Sequence, residues 1–266
     1  MRNFALLVCT IAILNACAPA PEQPADEASV PAREYYQLKT YTFDTDSQVA
    51  ATEAYLEQAL LPATKALGMG PVGVFKPRPN TEDTTRRLFV LMPFRSLEEF
   101  AVFEQSLAQD SSYLVRGAPY LNAPHDLPPY QRIESVLLLA FEDMPMMATP
   151  KLDGPREERV YELRSYESAT EAIYRNKVDM FNAGGEVTLF DKLGFNAVFY
   201  GEVISGAHMP NLMYMTTHAN QEARDANWKL FVEAPEWIAL KSDPKYQHNV
   251  SHIDITFLYP TAYSAY

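Results

Sequence analysis

The chain has 266 residues, 47% of them hydrophobic, which is enough for one large or two small packed domains. Its 34 Asp and Glu outweigh 22 Lys and Arg, for a net charge of −12. A protein this acidic, with no cluster of Lys and Arg, is repelled by nucleic-acid phosphates and by anionic lipid surfaces, so nucleic acid is excluded as a partner and charge cannot supply membrane affinity.

The chain opens with Arg2, an apolar run over residues 4–14, and then small and polar residues, the order of a secretory signal. The run falls short of the roughly 20 residues that a membrane-spanning helix needs. It ends in Leu14-Asn15-Ala16-Cys17, which resembles the lipobox of bacterial lipoproteins, where cleavage precedes the cysteine and lipid is added to its sulfur. Residues 1–16 are therefore read as a signal peptide and Cys17 as the lipidation site. The other of the 2 cysteines, Cys9, lies inside the apolar run, so the mature chain can form no internal disulfide. The expected membrane contact is through lipid on Cys17. With Ala18 following it, enterobacterial sorting favours the outer membrane, facing the periplasm or the cell surface. Loss of Arg2 with the signal leaves the mature chain at −13.

Residues 17–33 contain Pro19, Pro21, Pro24 and Pro31, no aromatic residue and no apolar period, the composition of a solvated tether. At ~3.1 Å per residue it could reach about 50 Å from the lipid.

Beyond it the chain repeats itself. Tyr36-Gln37-Leu38-Lys39-Thr40-Tyr41 matches Tyr161-Glu162-Leu163-Arg164-Ser165-Tyr166. Lys65-Ala66-Leu67-Gly68 matches Asp191-Lys192-Leu193-Gly194, and Arg87 to Met92 matches Asn211 to Thr216, in the same order and at nearly one offset. Two modules follow, residues 34–144 and 159–266, joined by a linker at 145–158 that carries Pro145, Pro150, Gly154 and Pro155. Each reads as strand, long helix, strand, strand, helix, strand, with helices predicted over 50–67, 173–193 and 219–232, the last capped by Asn220. Closing strands are predicted at 132–141 and 249–258. This is the ferredoxin-like βαββαβ order. The fold class is α+β, two tandem modules packed sheet to sheet as an intrachain α/β barrel.

The second module is similar to NIPSNAP domains in its order of motifs: Val160 to Tyr166, the run from Asn211-Leu212 through Glu222-Ala223-Arg224 to Trp228, Pro235-Glu236-Trp237, and the ending Tyr259-Pro260-Thr261-Ala262-Tyr263-Ser264. The resemblance covers about residues 159–264 and, more weakly, 34–144, where Phe103 stands in place of Trp228 and the segment 111–129 is longer. It implies the dimeric α/β-barrel arrangement. It implies no agreed chemistry.

Strand alternation puts Glu162, Arg164 and Tyr166 on one face of their strand, and His252, Asp254 and Thr256 on one face of theirs. If the apolar residues pack on the helices, these polar sets, with Tyr214, converge between the sheets as a ligand-binding group. Its catalytic form has His252 as a base oriented by Asp254, Arg164 binding an anionic or carbonyl group and Tyr166 donating a hydrogen bond. Its structural form is a buried ion-pair network of Glu162 and Arg164. The first module offers only Gln37, Lys39 and Tyr41 with Glu134 or Ser135.

No metal is expected, because His248 and His252 at i, i+4 stand about 13 Å apart on a strand. No cofactor is expected either: the chain has no G-x-S-x-G elbow, phosphate loop or dinucleotide fingerprint, and no evident haem ligand. His125, His208 and His218 read as surface residues, Met144, Met146 and Met147 as adaptable contacts, and Trp228, Phe231 and Trp237 as core. The resulting expectation is a lipid-anchored protein that binds a small molecule or a protein partner, possible as a homo-oligomer. The alternative is a cofactor-independent monooxygenase or isomerase.

Overall fold

The computed structural model describes residues 32–79 and 83–266, so the signal, Cys17 and all but the end of the tether lie outside the described residues. Among the described residues no helix is long and apolar enough to cross a membrane.

In the first half, β1 (Tyr35–Phe43) is followed by a helix in three parts, α1 (Asp46–Tyr55), a π-helical stretch (Leu56–Leu60) and α2 (Leu61–Ala66), then β2 (Gly73–Pro77), β3 (Arg86–Phe94), α3 (Leu97–Gln109), α4 (Ser111–Leu121) and β4 (Arg132–Ala140). The second half has β5 (Val160–Glu167), α5 (Glu171–Phe181), α6 (Glu186–Lys192), β6 (Ala197–Ser205), β7 (Asn211–His218), α7 (Gln221–Glu233), α8 (Pro235–Ser242) and β8 (His252–Pro260).

All eight strands hydrogen-bond into one closed barrel in the order β1-β3-β2-β8-β5-β7-β6-β4. Each half therefore keeps the ferredoxin-like neighbour order, β4-β1-β3-β2 and β8-β5-β7-β6. The sheets do not merely face each other: antiparallel seams β2·β8 and β4·β6 join their edges, leaving no open edge for a foreign strand. The registers agree too, Leu38 opposite Leu91 in one half and Leu163 opposite Met215 in the other.

Local chemistry explains the helix boundaries. Thr45 and Gln48 form a capping box at α1, Ser96 accepts from Glu99 N–H at α3, and Asn220 accepts from Ala223 N–H at α7 as predicted. The helix predicted over 173–193 is instead two. At Gly184 a Cβ would lie 2.4 Å from the Met180 carbonyl oxygen, and Gly185 takes φ 85°, which glycine tolerates best, so the turn between α5 and α6 rests on this pair. The longer segment of the first half forms α4, N-capped by Asp110, with Tyr120 stacked on Tyr55 at 3.8 Å. The linker lacks strands and α-helix but is not loose. Met147 N–H donates to Glu34, Ala148 N–H to Val198, and Met144 and Met147 pack on the core while Met146 stays exposed.

Both faces of the sheet are apolar. Tyr36, Leu38, Phe75, Tyr161, Leu163, Phe199, Met215, Leu258 and Tyr266 fill the interior, as the narrow bore of an eight-stranded barrel allows. Gly73 has no side chain because the rings of Phe75 and Tyr266 occupy that space. The helices of each half cover the outside over separate clusters, one around Tyr41, Leu56 and Phe94, the other around Phe181, Phe190 and Phe231. The interior plug lies toward the beginnings of β1 and β5. Toward their ends the barrel opens.

Candidate functional site

On β5 the strand faces are the reverse of the expectation. Tyr161 and Leu163 point into the barrel, so Glu162, Arg164 and Tyr166 point outward, beneath α7. There Glu162 is fully buried and accepts from Arg164 Nε at 2.7 Å, Arg224 Nε at 2.8 Å, Arg224 Nη2 at 2.9 Å and Trp228 Nε1 at 2.9 Å. Arg164 Nη1 donates to the Tyr166 hydroxyl at 3.0 Å, and that hydroxyl shares a hydrogen bond with Tyr214 at 2.8 Å. The Arg164 guanidinium lies 3.8 Å from the centre of the Trp228 ring. Burial by itself pushes the Glu162 carboxyl up, but hydrogen bonds from Arg224 and the two guanidinium charges outweigh it and hold the carboxyl below its ordinary value. Burial raises Tyr166 and Tyr214, so both phenols stay protonated at neutral pH. Both arginines, the Glu162 carboxylate, the Trp228 N–H and the two phenols are each matched to another protein group, whereas the hydroxyl of Thr216, register partner of Glu162, has none. This cluster has the geometry of a buried ion-pair network, but it fastens sheet to helix and does not lie between the two sheets, where the sequence reading places it.

Three neighbours were not legible in the sequence. Lys177 and Glu186, one on each side of the α5–α6 turn, form a buried pair at 2.8 Å, with the ammonium 4.5 Å from the Phe181 ring centre. His218, read as a surface residue, is 1% exposed. It lies on the helix side of β7 with Tyr214 and Thr216, its ring 5.3 Å from Phe195, Nδ1 at 3.3 Å from Asn227 Nδ2 and Nε2 without a partner.

The open end of the barrel holds the other polar set. Because Ser165 pairs with Asp254 and Leu163 with Thr256, Asp254 and Thr256 face inward as predicted. With Thr40, Arg87, Ser165 and Asn211 they line a cup of about 480 Å³. Asn211 is 2% exposed. Its Nδ2 donates to Ser165 Oγ at 2.9 Å and its Oδ1 has no partner. Arg87 is bonded through Nη2 to Asp83, while its Nε is buried and unpaired. His252 stands at the rim with Nε2 3.1 Å from Asp254 Oδ1.

The structure thus joins Glu162, Arg164, Tyr166 and Tyr214 on one side of the sheet, and His252, Asp254 and Thr256 on the other. The predicted catalytic constellation of His252, Asp254, Arg164 and Tyr166 is divided by the strand that was to unite it. Glu134 also lines the cup, whereas Gln37 and Lys39 face outward and bond to Ser135 and Glu104. Asn211 went unremarked as a site residue, since its place at a strand start gives it no sequence signature.

Residues 161–265 match the NIPSNAP family. The match falls on β5 to β8, the half that carries the Glu162 network. No curated protein matches the chain. Among solved structures, a candidate monooxygenase of Lactobacillus acidophilus NCFM is similar over 86% of this chain and 94% of its own, at 13% identity and TM-score 0.56. A second candidate monooxygenase, from Fusobacterium nucleatum subsp. nucleatum, has 10% identity and TM-score 0.52 over 86% and 93% of the two chains. An anthrone oxidase-like protein has 12% identity and TM-score 0.51 over 87% and 93%. These likenesses show the dimeric α/β-barrel type of fold, here within one chain.

Proposed function

We propose that the chain is a lipid-anchored protein that binds a small polar molecule in the cup at the open end of its barrel. The observation that carries this reading is the buried, unpartnered Oδ1 of Asn211 on the cup wall. A buried acceptor left unpaired costs about 1–3 kcal/mol, which a ligand donor recovers. The cup has the volume of a small-molecule site, and Arg87 lines it together with the hydroxyl-bearing Thr40, Ser165 and Thr256. A hydroxyl- or amide-bearing solute matches this mixture. The anchor is supported by the Cys17 context and the proline-rich stretch after it.

The test is calorimetric titration of the full chain in detergent with a panel of polyols, sugars, amino acids and small carboxylates. A ligand of the cup is expected to bind at least about tenfold more weakly to Asn211→Leu and to Thr256→Val, and unchanged to Lys65→Ala on the remote end of α2. An empty panel, or a hit indifferent to both cup variants, overturns the reading.

A second reading, a cofactor-independent monooxygenase or isomerase, has one observation in its favour, the His252–Asp254 pair at 3.1 Å beside the cup. Two of the three similar structures are described as monooxygenases and the third as anthrone oxidase-like, at identities that carry the fold alone. For this reading, His252→Ala must abolish turnover while binding survives.

A further inference from the structure

Two histidines and two carboxylates meet at the rim of the cup from three separate pieces of chain. Glu167 ends β5, His252 begins β8 as its register partner, Asp254 stands two residues further on the same face, and His208 comes from the turn between β6 and β7. His208 Nδ1 is 3.0 Å from a Glu167 carboxylate oxygen, and His252 Nε2 is 3.1 Å from Asp254 Oδ1. One ligand atom each from Glu167, His252 and Asp254 lie within 4.8 Å of one another.

We propose that this rim binds one divalent transition-metal ion of the zinc type, ligated by His208, His252, Glu167 and Asp254. Two imidazoles with two carboxylates form a donor set that suits zinc and discriminates against calcium and magnesium, which take oxygen alone. The spacing agrees. With metal–ligand bonds of about 2.0–2.1 Å, neighbouring ligands of a tetrahedral ion stand roughly 3.3 Å apart. Two of the pairs are already close to that edge, and Glu167, His252 and Asp254 already bring one ligand atom each to within 4.8 Å of one another. Charge points the same way: Asp83, Glu134 and Asp254 line the cup against Arg87, and Arg87 is bonded to Asp83. Asn211 lines the same cup as His208 and Asp254, and its Oδ1 has no partner. Two independent surface pairs, each worth about 0–1 kcal/mol, would have no reason to share one point on the rim.

The metal site and His252 as a general base exclude each other, because the ion takes the lone pair that a base needs. The proposal is also separable from solute binding in the cup, since it is tested with metal alone.

The experiment is equilibrium dialysis and calorimetry of the full chain in detergent, stripped with chelator and titrated with Zn²⁺. One ion per chain is expected. His252→Ala and His208→Ala are each expected to weaken binding at least about tenfold, with His248→Ala, four residues from His252 and outside the cluster, unchanged. Co²⁺ substitution should give a tetrahedral visible spectrum that His252→Ala removes. All three substituted residues are exposed, and circular dichroism verifies folding of each variant. Absence of saturable binding at one ion per chain, or an equal loss in His248→Ala, overturns the proposal.

Discussion

At the scale of single residues, His218 shows how burial turns a side chain into a pH dependence. Burial under α7 disfavours the imidazolium and pushes its pKa from 6.5 down to about 4. Above pH 6.5 the ring is neutral in both folded and unfolded chains, and its contribution to stability is independent of pH. Between pH 6.5 and 4 the unfolded chain binds a proton that the folded chain refuses, so stability falls as the solution is acidified, by up to about 3 kcal/mol. Urea denaturation of wild type and His218→Gln at steps from pH 7 to pH 4 should give two stability curves that converge toward acid. Parallel curves would sink the assignment. The position of His218 was not legible because a lone histidine at a strand end reads alike whether a helix covers it or not. The cover comes from Phe195 and Asn227, which are distant in the sequence.

At the scale of elements, Glu162 fastens β5 to α7. Removing its charge while keeping its shape, as in Glu162→Gln, leaves Arg164 without a counterion and Arg224 with only the exposed Asp225, and breaking a buried pair from one side costs about 3–5 kcal/mol. A loss below about 1 kcal/mol in urea denaturation followed by circular dichroism would show that solvent already screens the cluster. The pairing of Glu162 with Arg164 was legible in the strand's alternation, but the side of the sheet was not. Period two states which residues share a face. On a strand buried on both faces, with Tyr161 and Leu163 on one side and Tyr166 on the other, it does not state which face looks inward. The break between α5 and α6 was written in Gly184-Gly185, yet the apolar period runs across it and hid it.

At the scale of the whole molecule, the module order and the element order within each module were legible, since matching motifs and a family resemblance both bear on them. The closing seams were not, because edge pairing leaves no signature in either strand. The seams carry a prediction. Residues 159–266 expressed alone expose β6 and β8, whose partners β4 and β2 are gone, and unpaired edges seek strands. In the full chain each half joins its second strand to the fourth strand of the other, so two copies of the second half can satisfy both seams by pairing β6 with β8 across a twofold axis. Light scattering during gel filtration should find this fragment as a dimer. A folded monomer would count against the seams as the source of closure.

Arg33 bonds to the Ala140 carbonyl and to Glu202, so the chain enters beside the plugged end of the barrel, opposite the cup. A lipid on Cys17, as proposed, would then pull on the blind end. The mouth of the cup is left clear of the point where the tether joins, so a dissolved solute reaches it without passing the tether.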